Sequence, residues 1–365
     1  MPPLRVAVIG AGAFGRNHLR VYRELEQAHP ELVHLAALVE PDAPRRAAFA
    51  TTCNIPTFAT IEELLAAHLS LNAASICVPT IHHAAVAEQL LLANLDLLIE
   101  KPFATTLAEA DHILDLALTH HRIVAIGHLE RFNPAVTATI DALNQPMFFE
   151  AHRLSIFTPR SLDVDVVLDL MIHDLDIVLA LTNSPVQEVR AVGLPVLSRK
   201  TDIANVRVEF ESGCVANFTA SRVSTEQVRK LRLFQPHQYL SLDFARQELL
   251  TISVDPAVIA AAIAAGSSPT SAPITIAATH STPHPTDHSQ APPLAGVVHP
   301  TAGLSLTRAD IPKGEPLRLE IENFLHAVRT RTQPRVPAEA GRASLSLALA
   351  INEQIAAHAH RTGLL

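Results

Sequence analysis

Leu4-Arg-Val-Ala-Val-Ile-Gly10-Ala-Gly12-Ala-Phe-Gly15-Arg-Asn-His-Leu-Arg20 decides the fold: an apolar run enters a glycine loop, and the loop opens an amphipathic stretch. A buried parallel strand is apolar on both faces, as Leu4–Ile9 nearly is. In the G-x-G-x-x-G pattern each glycine has its own task. Gly10 permits the tight turn, Gly12 lets the backbone approach a pyrophosphate, and Gly15 lets helix and strand pack closely. Ala13 and Phe14 complete the loop, where the free N–H groups and partial positive charge of the helix start face the phosphates. Glu40 ends the next apolar run, Ala36-Ala-Leu-Val-Glu40. A carboxylate there accepts hydrogen bonds from the adenosine ribose and repels a 2′-phosphate, so NAD is expected over NADP. Arg45 and Arg46 follow closely enough to soften that preference.

Outward from this unit the rhythm continues. Val33–Val39, Ala74–Val78, Leu95–Ile99 and Ile123–Ile126 read as strands, between helical patterns at Arg16–Ala28, Ile61–His68, Ala84–Ala93 and Leu107–His120. Apolar strands alternating with helices predict a doubly wound parallel sheet. After Asn133-Pro134 the rhythm changes: Met147–Ile156 reads as a strand and Val164–Leu181 as one long apolar helix. Strand patterns then follow without helices at Val186–Val192, Val206–Phe210, Val215–Ala220, Lys230–Phe234 and Tyr239–Phe244, before helices at Leu317–Arg329 and Ala338–His358. The expected fold class is α/β: an N-terminal Rossmann domain over residues 1–127, and a C-terminal α+β domain over 128–365 with an open-faced, mostly antiparallel sheet. Residues from about 255 to 310 are rich in Pro, Ser, Thr, Ala and His and read as a flexible insertion. His280, His284 and His288 are four apart, but Pro283 and Pro285 forbid the helix that would align them on a metal.

Bulk properties exclude several classes. Lys and Arg number 28 against 36 Asp and Glu, a net charge of −8 with no basic tract, which argues against nucleic acid as the main partner. Cys53, Cys77 and Cys214 have neither disulfide nor metal spacing, so a reducing, cytoplasmic compartment is expected and no metal. Met1–Ile9 lacks the basic start and the length of a signal peptide, and no apolar run is long enough to span a bilayer.

Three further segments can carry chemistry. Glu100-Lys101-Pro102 follows a buried strand at the carboxyl edge, where open α/β sheets bind ligands. A lysine there meets the cofactor cleft or is an exposed loop cation. Asp169-Leu-Met-Ile-His173 places an acid and an imidazole on one face of an otherwise apolar helix, and Asp176 continues the stripe. Such a stripe either lines a cavity or pairs within the core. Gly127-His128-Leu-Glu130-Arg131-Phe-Asn133-Pro134 crosses between the domains, where Glu130, Arg131 and Asn133 either contact substrate or brace the joint.

Together the glycine loop, Glu100-Lys101-Pro102 and the Asp169/His173 pair resemble the glucose–fructose oxidoreductase/inositol dehydrogenase (Gfo/Idh/MocA) family over nearly the whole chain. The likeness includes Pro79-Thr80-Ile81-His82-His83 in the cofactor cleft and the closing helices, and only the insertion departs from it. It implies NAD as cofactor, held by Pro79, Thr80, His83, Glu100, Lys101 and Pro102 besides the glycine loop and Glu40. It also implies Lys101, Asp169 and His173 as the catalytic set, in contact with substrate, and leaves open which of Lys101 and His173 takes the proton. Residues 127–134 and 169–176 resemble the branch that oxidises the 3-hydroxyl of UDP-N-acetylglucosamine, whose ketone an aminotransferase converts to a 2,3-diamino sugar for lipid A. Such a substrate needs cations for its diphosphate. Arg153, Arg160, Arg222, Arg229, Lys230 and Arg232 are available, with Arg160 and Arg222 favoured. The alternatives are another sugar or polyol dehydrogenase of the family, or a non-catalytic NAD-dependent ligand sensor. An open sheet face further predicts a homodimer or homotetramer.

Overall fold

A computed structural model describes residues 2–157, 164–255, 257, 297–299 and 304–363. Strands β1 (Leu4–Ile9), β2 (Val33–Val39), β3 (Thr57–Phe58), β4 (Ala73–Ile76), β5 (Asp96–Glu100) and β6 (Val124–Gly127) form one sheet in the order β3-β2-β1-β4-β5-β6. Every pairing in it is parallel. Helices α1 (Gly15–Ala28), α2 (Ala43–Cys53), α3 (Ile61–Ala66), α4 (His83–Leu92) and α5 (Leu107–Thr119) connect the strands. The order reverses between β1 and β4, and that switch point opens the crevice in which such sheets bind ligands. Caps set several helix starts. Thr106 and Glu109 form a reciprocal capping box on α5, and the Asp42 carboxylate accepts from the Arg45 N–H at the head of α2. The α2 helix lies where the sequence pattern is too weakly amphipathic to announce one.

The second sheet runs β14-β15-β13-β12-β11-β7-β10-β9-β8. Its members are β7 (Phe148–Ile156), β8 (Val186–Leu194), β9 (Ile203–Phe210), β10 (Val215–Ser224), β11 (Val228–Gln235), β12 (Gln238–Asp243), β13 (Glu248–Val254), β14 (Val297–His299) and β15 (Leu304–Arg308). Only β7 and β10 pair in parallel, which makes the sheet mostly antiparallel. Alternation sorts its faces. Ala204, Val206, Val208 and Phe210 of β9 point into the core, while Asn205 and Arg207 stay exposed. The inward face packs on α7 (Ile172–Thr182) and α9 (Ala338–Thr362), through Ile172, Leu175, Val178, Leu347 and Ile351.

Three features depart from the sequence reading. The stretch from 255 to 310 supplies β14 and β15, so its later part belongs to the sheet; His280, His284 and His288 lie outside the described residues. Strand β13 went unread because Phe244-Ala-Arg-Gln247, the tight turn before it, carries neither Gly nor Pro. Helix α6 (Pro134–Asp141), capped by Asn133, was hidden behind the Asn-Pro signal.

The last two helices return to the first sheet. Leu317, Ile321, Phe324 and Leu325 of α8 (Pro316–Thr330) pack beside β1 and α1, and Leu345 of α9 joins the core beneath β5 and β6. Burying each such side chain is worth about 1.5–3 kcal/mol. This packing holds the Rossmann sheet against the second domain and fixes the cleft between them. Among the described residues, no helix is long and apolar enough to cross a membrane.

Candidate active site

The three glycines of the loop stand in different surroundings. Gly10 has φ +92°, and a Cβ there would lie 2.9 Å from the Cys77 carbonyl oxygen. A Cβ on Gly15 would sit 2.0 Å from the Gly10 carbonyl oxygen. Above Gly12 nothing comes within 4 Å. That open space lies where the N–H groups of the first turn of α1 emerge, and it fits the pyrophosphate of a dinucleotide. Ala13 is exposed and Phe14 is the residue just before α1. Beside this loop, Glu40 is buried, and its carboxylate accepts from the N–H groups of Ala11 at 2.8 Å and Asp42 at 3.0 Å. Arg45 reaches the same carboxylate at 3.3 Å, while Arg46 donates to the Glu40 carbonyl. Both arginines therefore serve the β2–α2 turn. The acid sits at the end of β2, where the ribose of a dinucleotide is expected.

Pro79 and Thr80 follow β4 and stand next to the glycine loop, as the Cys77 N–H bond to the Ile9 carbonyl requires. His83 and Glu100 are different. The His83 ring is buried, with Nε2 3.0 Å from the Val78 carbonyl oxygen and Nδ1 3.0 Å from that of Pro102. It ties the loop after β4 to the loop after β5 instead of lining the cleft. Glu100 is buried too. It accepts from His18 Nε2 at 2.8 Å and lies over Gly127, where a Cβ would meet its carboxyl at 2.9 Å. Lys101 and Pro102, joined by a cis peptide, follow at the strand end.

Lys101 carries the site's central contact. Its Nζ donates to the Asp169 main-chain carbonyl at 2.7 Å and lies 3.5 Å from the Asp169 carboxylate. Burial pushes the ammonium pKa down, while the Asp169 and Glu100 charges resist. Asp169 sits within Val167–Met171, a turn of π-helix just before α7. Such wider turns recur at functional sites, and the apolar run gave no sign of this one. His173 follows in the first turn of α7. Its Nδ1 is buried without a hydrogen-bond partner among the described residues. Burial holds its pKa well below the usual histidine range, and the Lys101 and Arg153 charges push it the same way. The imidazole is therefore neutral at pH 7. An amine with a lowered pKa, a carboxylate and a neutral imidazole share one corner between the sheets.

The segment after β6 turns out to be a brace. Arg153 of β7 is buried and donates to Asp174 at 2.8 and 2.9 Å and to Glu130 at 3.2 Å. Asn133 donates to Glu130 at 3.1 Å and to the Phe244 carbonyl at 3.0 Å, and the Arg153 guanidinium lies over the Phe244 ring. Arg131 faces Asp176 at 3.6 Å. Burial lowers the Arg153 pKa, but Asp174 and Glu130 more than offset it and the net direction is up. The polar atoms of Glu130 and Asn133 thus bind the joint between domains, which corrects their assignment to substrate. Arg222 is buried against Asp202 at 2.8 Å and also donates to the Thr201 carbonyl, so its charge is matched by the loop before β9. Arg160 lies outside the described residues.

Sequence reasoning missed His18, Asp174, Asp202 and Glu320. Asp174 stands one residue from a candidate and within a helix otherwise buried, which was a signal. Glu320 of α8 gave none. It is buried, both carboxyl oxygens lack partners among the described residues, and burial with the Glu100 and Asp176 charges drives its pKa far up.

A doubly wound sheet with a glycine loop, an acid after β2 and a lysine at the mouth of β5 defines a two-domain, dinucleotide-dependent oxidoreductase. The chain belongs to the Gfo/Idh/MocA family, an oxidoreductase family with an NAD-binding Rossmann fold: that family's model matches residues 4–128, and its C-terminal domain model matches 136–235. The chain is 34% identical, over 98% of its length and 99% of the relative's, to the UDP-N-acetylglucosamine 3-dehydrogenase of Acidithiobacillus ferrooxidans. A crystal structure of that dehydrogenase superposes with a TM-score of 0.79, at 32% identity, over 98% of this chain and 99% of that one. An inositol 2-dehydrogenase of Leifsonia xyli subsp. xyli is 32% identical, but over 52% of this chain and 56% of its own.

Proposed function

We propose that the protein oxidises a hydroxyl of a sugar with NAD, and that the hydroxyl is the 3-OH of UDP-N-acetylglucosamine. The observation that carries the reading is the Lys101 Nζ held 2.7 Å from the Asp169 carbonyl oxygen and 3.5 Å from its carboxylate, at the carboxyl edge of a dinucleotide-binding sheet. The loop Gly10–Gly15, Glu40, Pro79 and Thr80 would hold NAD, which would supply the acceptor for the hydride of the oxidised carbon. Lys101 takes the hydroxyl proton, because burial lowers its pKa and makes the neutral amine easier to reach. Asp169 fixes the amine through two contacts. Neutral His173 holds the hydroxyl by a hydrogen bond and, with its pKa far down, returns no proton to it. An intact lysine, aspartate and histidine favour an enzyme over a sensor.

The likeness to a UDP-N-acetylglucosamine 3-dehydrogenase spans both domains, whereas the likeness to inositol dehydrogenases covers about half of the chain. That difference supports the nucleotide sugar as substrate. The 3-keto product then passes to an aminotransferase for a 2,3-diamino sugar in lipid A synthesis. The reading includes a cytoplasmic location, consistent with three free cysteines. It also includes a homodimer or homotetramer built on the outer face of the second sheet.

The test mixes purified protein, NAD and UDP-N-acetylglucosamine with a glutamate-fed aminotransferase and follows NADH absorbance. NADH formation that requires both the nucleotide sugar and Lys101 is expected. No NADH, with NAD still bound by calorimetry, removes this substrate.

A further inference from the structure

Of the six second-domain cations available to a diphosphate, the five among the described residues are sorted by strand register and by their partners. Lys230 and Arg232 of β11 point away from α7 and out of the cleft: the alternate residues Leu231 and Leu233 are buried in the core, and Arg232 binds Glu150 at 2.8 Å on the outer face. Arg153 is consumed by Asp174 and Glu130, and Arg222 by Asp202. Arg229 differs from all of these. It pairs directly across the strands with Arg153 in the antiparallel register of β11 and β7, so both side chains leave the same face of the sheet. That is the face on which Arg153 reaches Asp174 of α7. Arg153 lies under the helix, whereas Arg229, at the start of its strand, is exposed. Among the described residues it has neither a carboxylate partner nor a side-chain hydrogen bond. Its charge nevertheless reaches the site, since it helps depress the His173 pKa and opposes the rise at Asp174.

An unmatched guanidinium at the open edge of a catalytic cleft has a definite chemical preference. It is a planar, permanently charged donor fork that fits phosphate oxygens in pairs. Arg153, one strand away, is matched by Asp174 and Glu130, so the positive charge open to a ligand here is that of Arg229 itself. A neutral ligand gains nothing from that arrangement, whereas a dianionic diphosphate does. We propose that Arg229 clamps the diphosphate of the nucleotide-sugar substrate, so that the sugar extends inward to Lys101 and the nucleoside outward. This rests on the nucleotide-sugar reading above and adds the residue that selects a nucleotide sugar over a free sugar.

The experiment compares the wild-type protein, Arg229→Gln and Lys230→Gln, each with NAD bound. Lys230 is the neighbouring cation on the outer face and serves as the matched control for lost charge. Calorimetry with UDP and with uridine, and NADH formation from UDP-N-acetylglucosamine, are measured on all three. For Arg229→Gln the Kd for UDP and the KM for the nucleotide sugar are expected to rise about 10- to 100-fold, as for a lost charge-assisted hydrogen bond. NAD affinity and uridine binding should stay at wild-type values, and Lys230→Gln should match the wild type throughout. UDP bound equally by all three proteins overturns the clamp and leaves the substrate reading standing. A wild-type protein that neither binds UDP nor oxidises the nucleotide sugar overturns both. Equal losses in the two variants overturn the clamp in favour of a general field of positive charge.

Discussion

Lys101 and Asp169, 68 positions apart, meet through two contacts of different kinds: Nζ donates to the Asp169 carbonyl at 2.7 Å, and the carboxylate stands 3.5 Å away. The first fixes where the amine points, and the second fixes how readily it gives up its proton. For a base that works as the neutral amine, kcat/KM rises with pH through the Lys101 pKa. The Asp169 charge raises that pKa against the pull of burial. Asp169→Asn should therefore move the acidic limb of the pH profile to lower pH, while Lys101→Met should cost about 10²- to 10⁴-fold in kcat and leave NAD affinity nearly intact. A limb that moves upward in Asp169→Asn, or stays put, would assign it to another group.

The glycine loop gives a prediction that separates binding from folding. A Cβ at position 12 meets nothing within 4 Å, whereas one at position 15 runs into the Gly10 carbonyl at 2.0 Å. Gly12→Ala should keep its melting temperature and lose NAD affinity by about tenfold or more, because the methyl fills the space that the pyrophosphate needs. Gly15→Ala should lose stability first, since backbone must move to admit it. Thermal melts with and without NAD check both.

How far the sequence reached depends on which forces set each feature. The Rossmann half was legible because its strands are buried on both faces and its glycines are local requirements; β1 and β2 appear with the bounds read for them. The Lys101–Asp169–His173 corner was legible by resemblance and by the polar stripe on an apolar helix. The π-turn at Val167–Met171 was not, since its hydrogen bonding leaves no mark on the residue pattern, which reads as ordinary helix. Arg153 was misjudged for another reason. A cation's partners are set by tertiary register, and only the packing of β7 against α7 and against the segment after β6 brings Asp174 and Glu130 to it. The same holds for Arg229 and Lys230, adjacent in sequence and on opposite faces of one sheet.

Arg153 should prove a stability residue through its own network. Removing it strands two buried carboxylates, and Arg153→Met is expected to cost about 3–5 kcal/mol in urea unfolding. Arg232→Gln, which breaks a half-exposed pair on the outer face, should cost under about 1 kcal/mol. Adding Asp174→Leu to Arg153→Met should recover part of the loss, because one uncompensated charge goes with it. No recovery would mean that Asp174 is held by groups other than Arg153.

Glu320 gives the protein a pH dependence of its own. Burial raises its pKa, with the Glu100 and Asp176 charges adding to the rise, and its carboxyl oxygens have no partner among the described residues. The folded protein therefore keeps a proton that the unfolded chain releases near pH 4.3. A carboxyl raised in this way contributes nothing against stability below the unfolded pKa. Above it, stability falls with rising pH until the folded pKa is reached. Glu320→Gln removes the titration and keeps the shape. Its advantage over the wild type should widen by about 1.4 kcal/mol per pH unit across that window. Urea melts of both proteins at pH 5, 6, 7 and 8 measure it. Parallel curves would show that Glu320 is ionised in the folded protein and overturn the raised pKa.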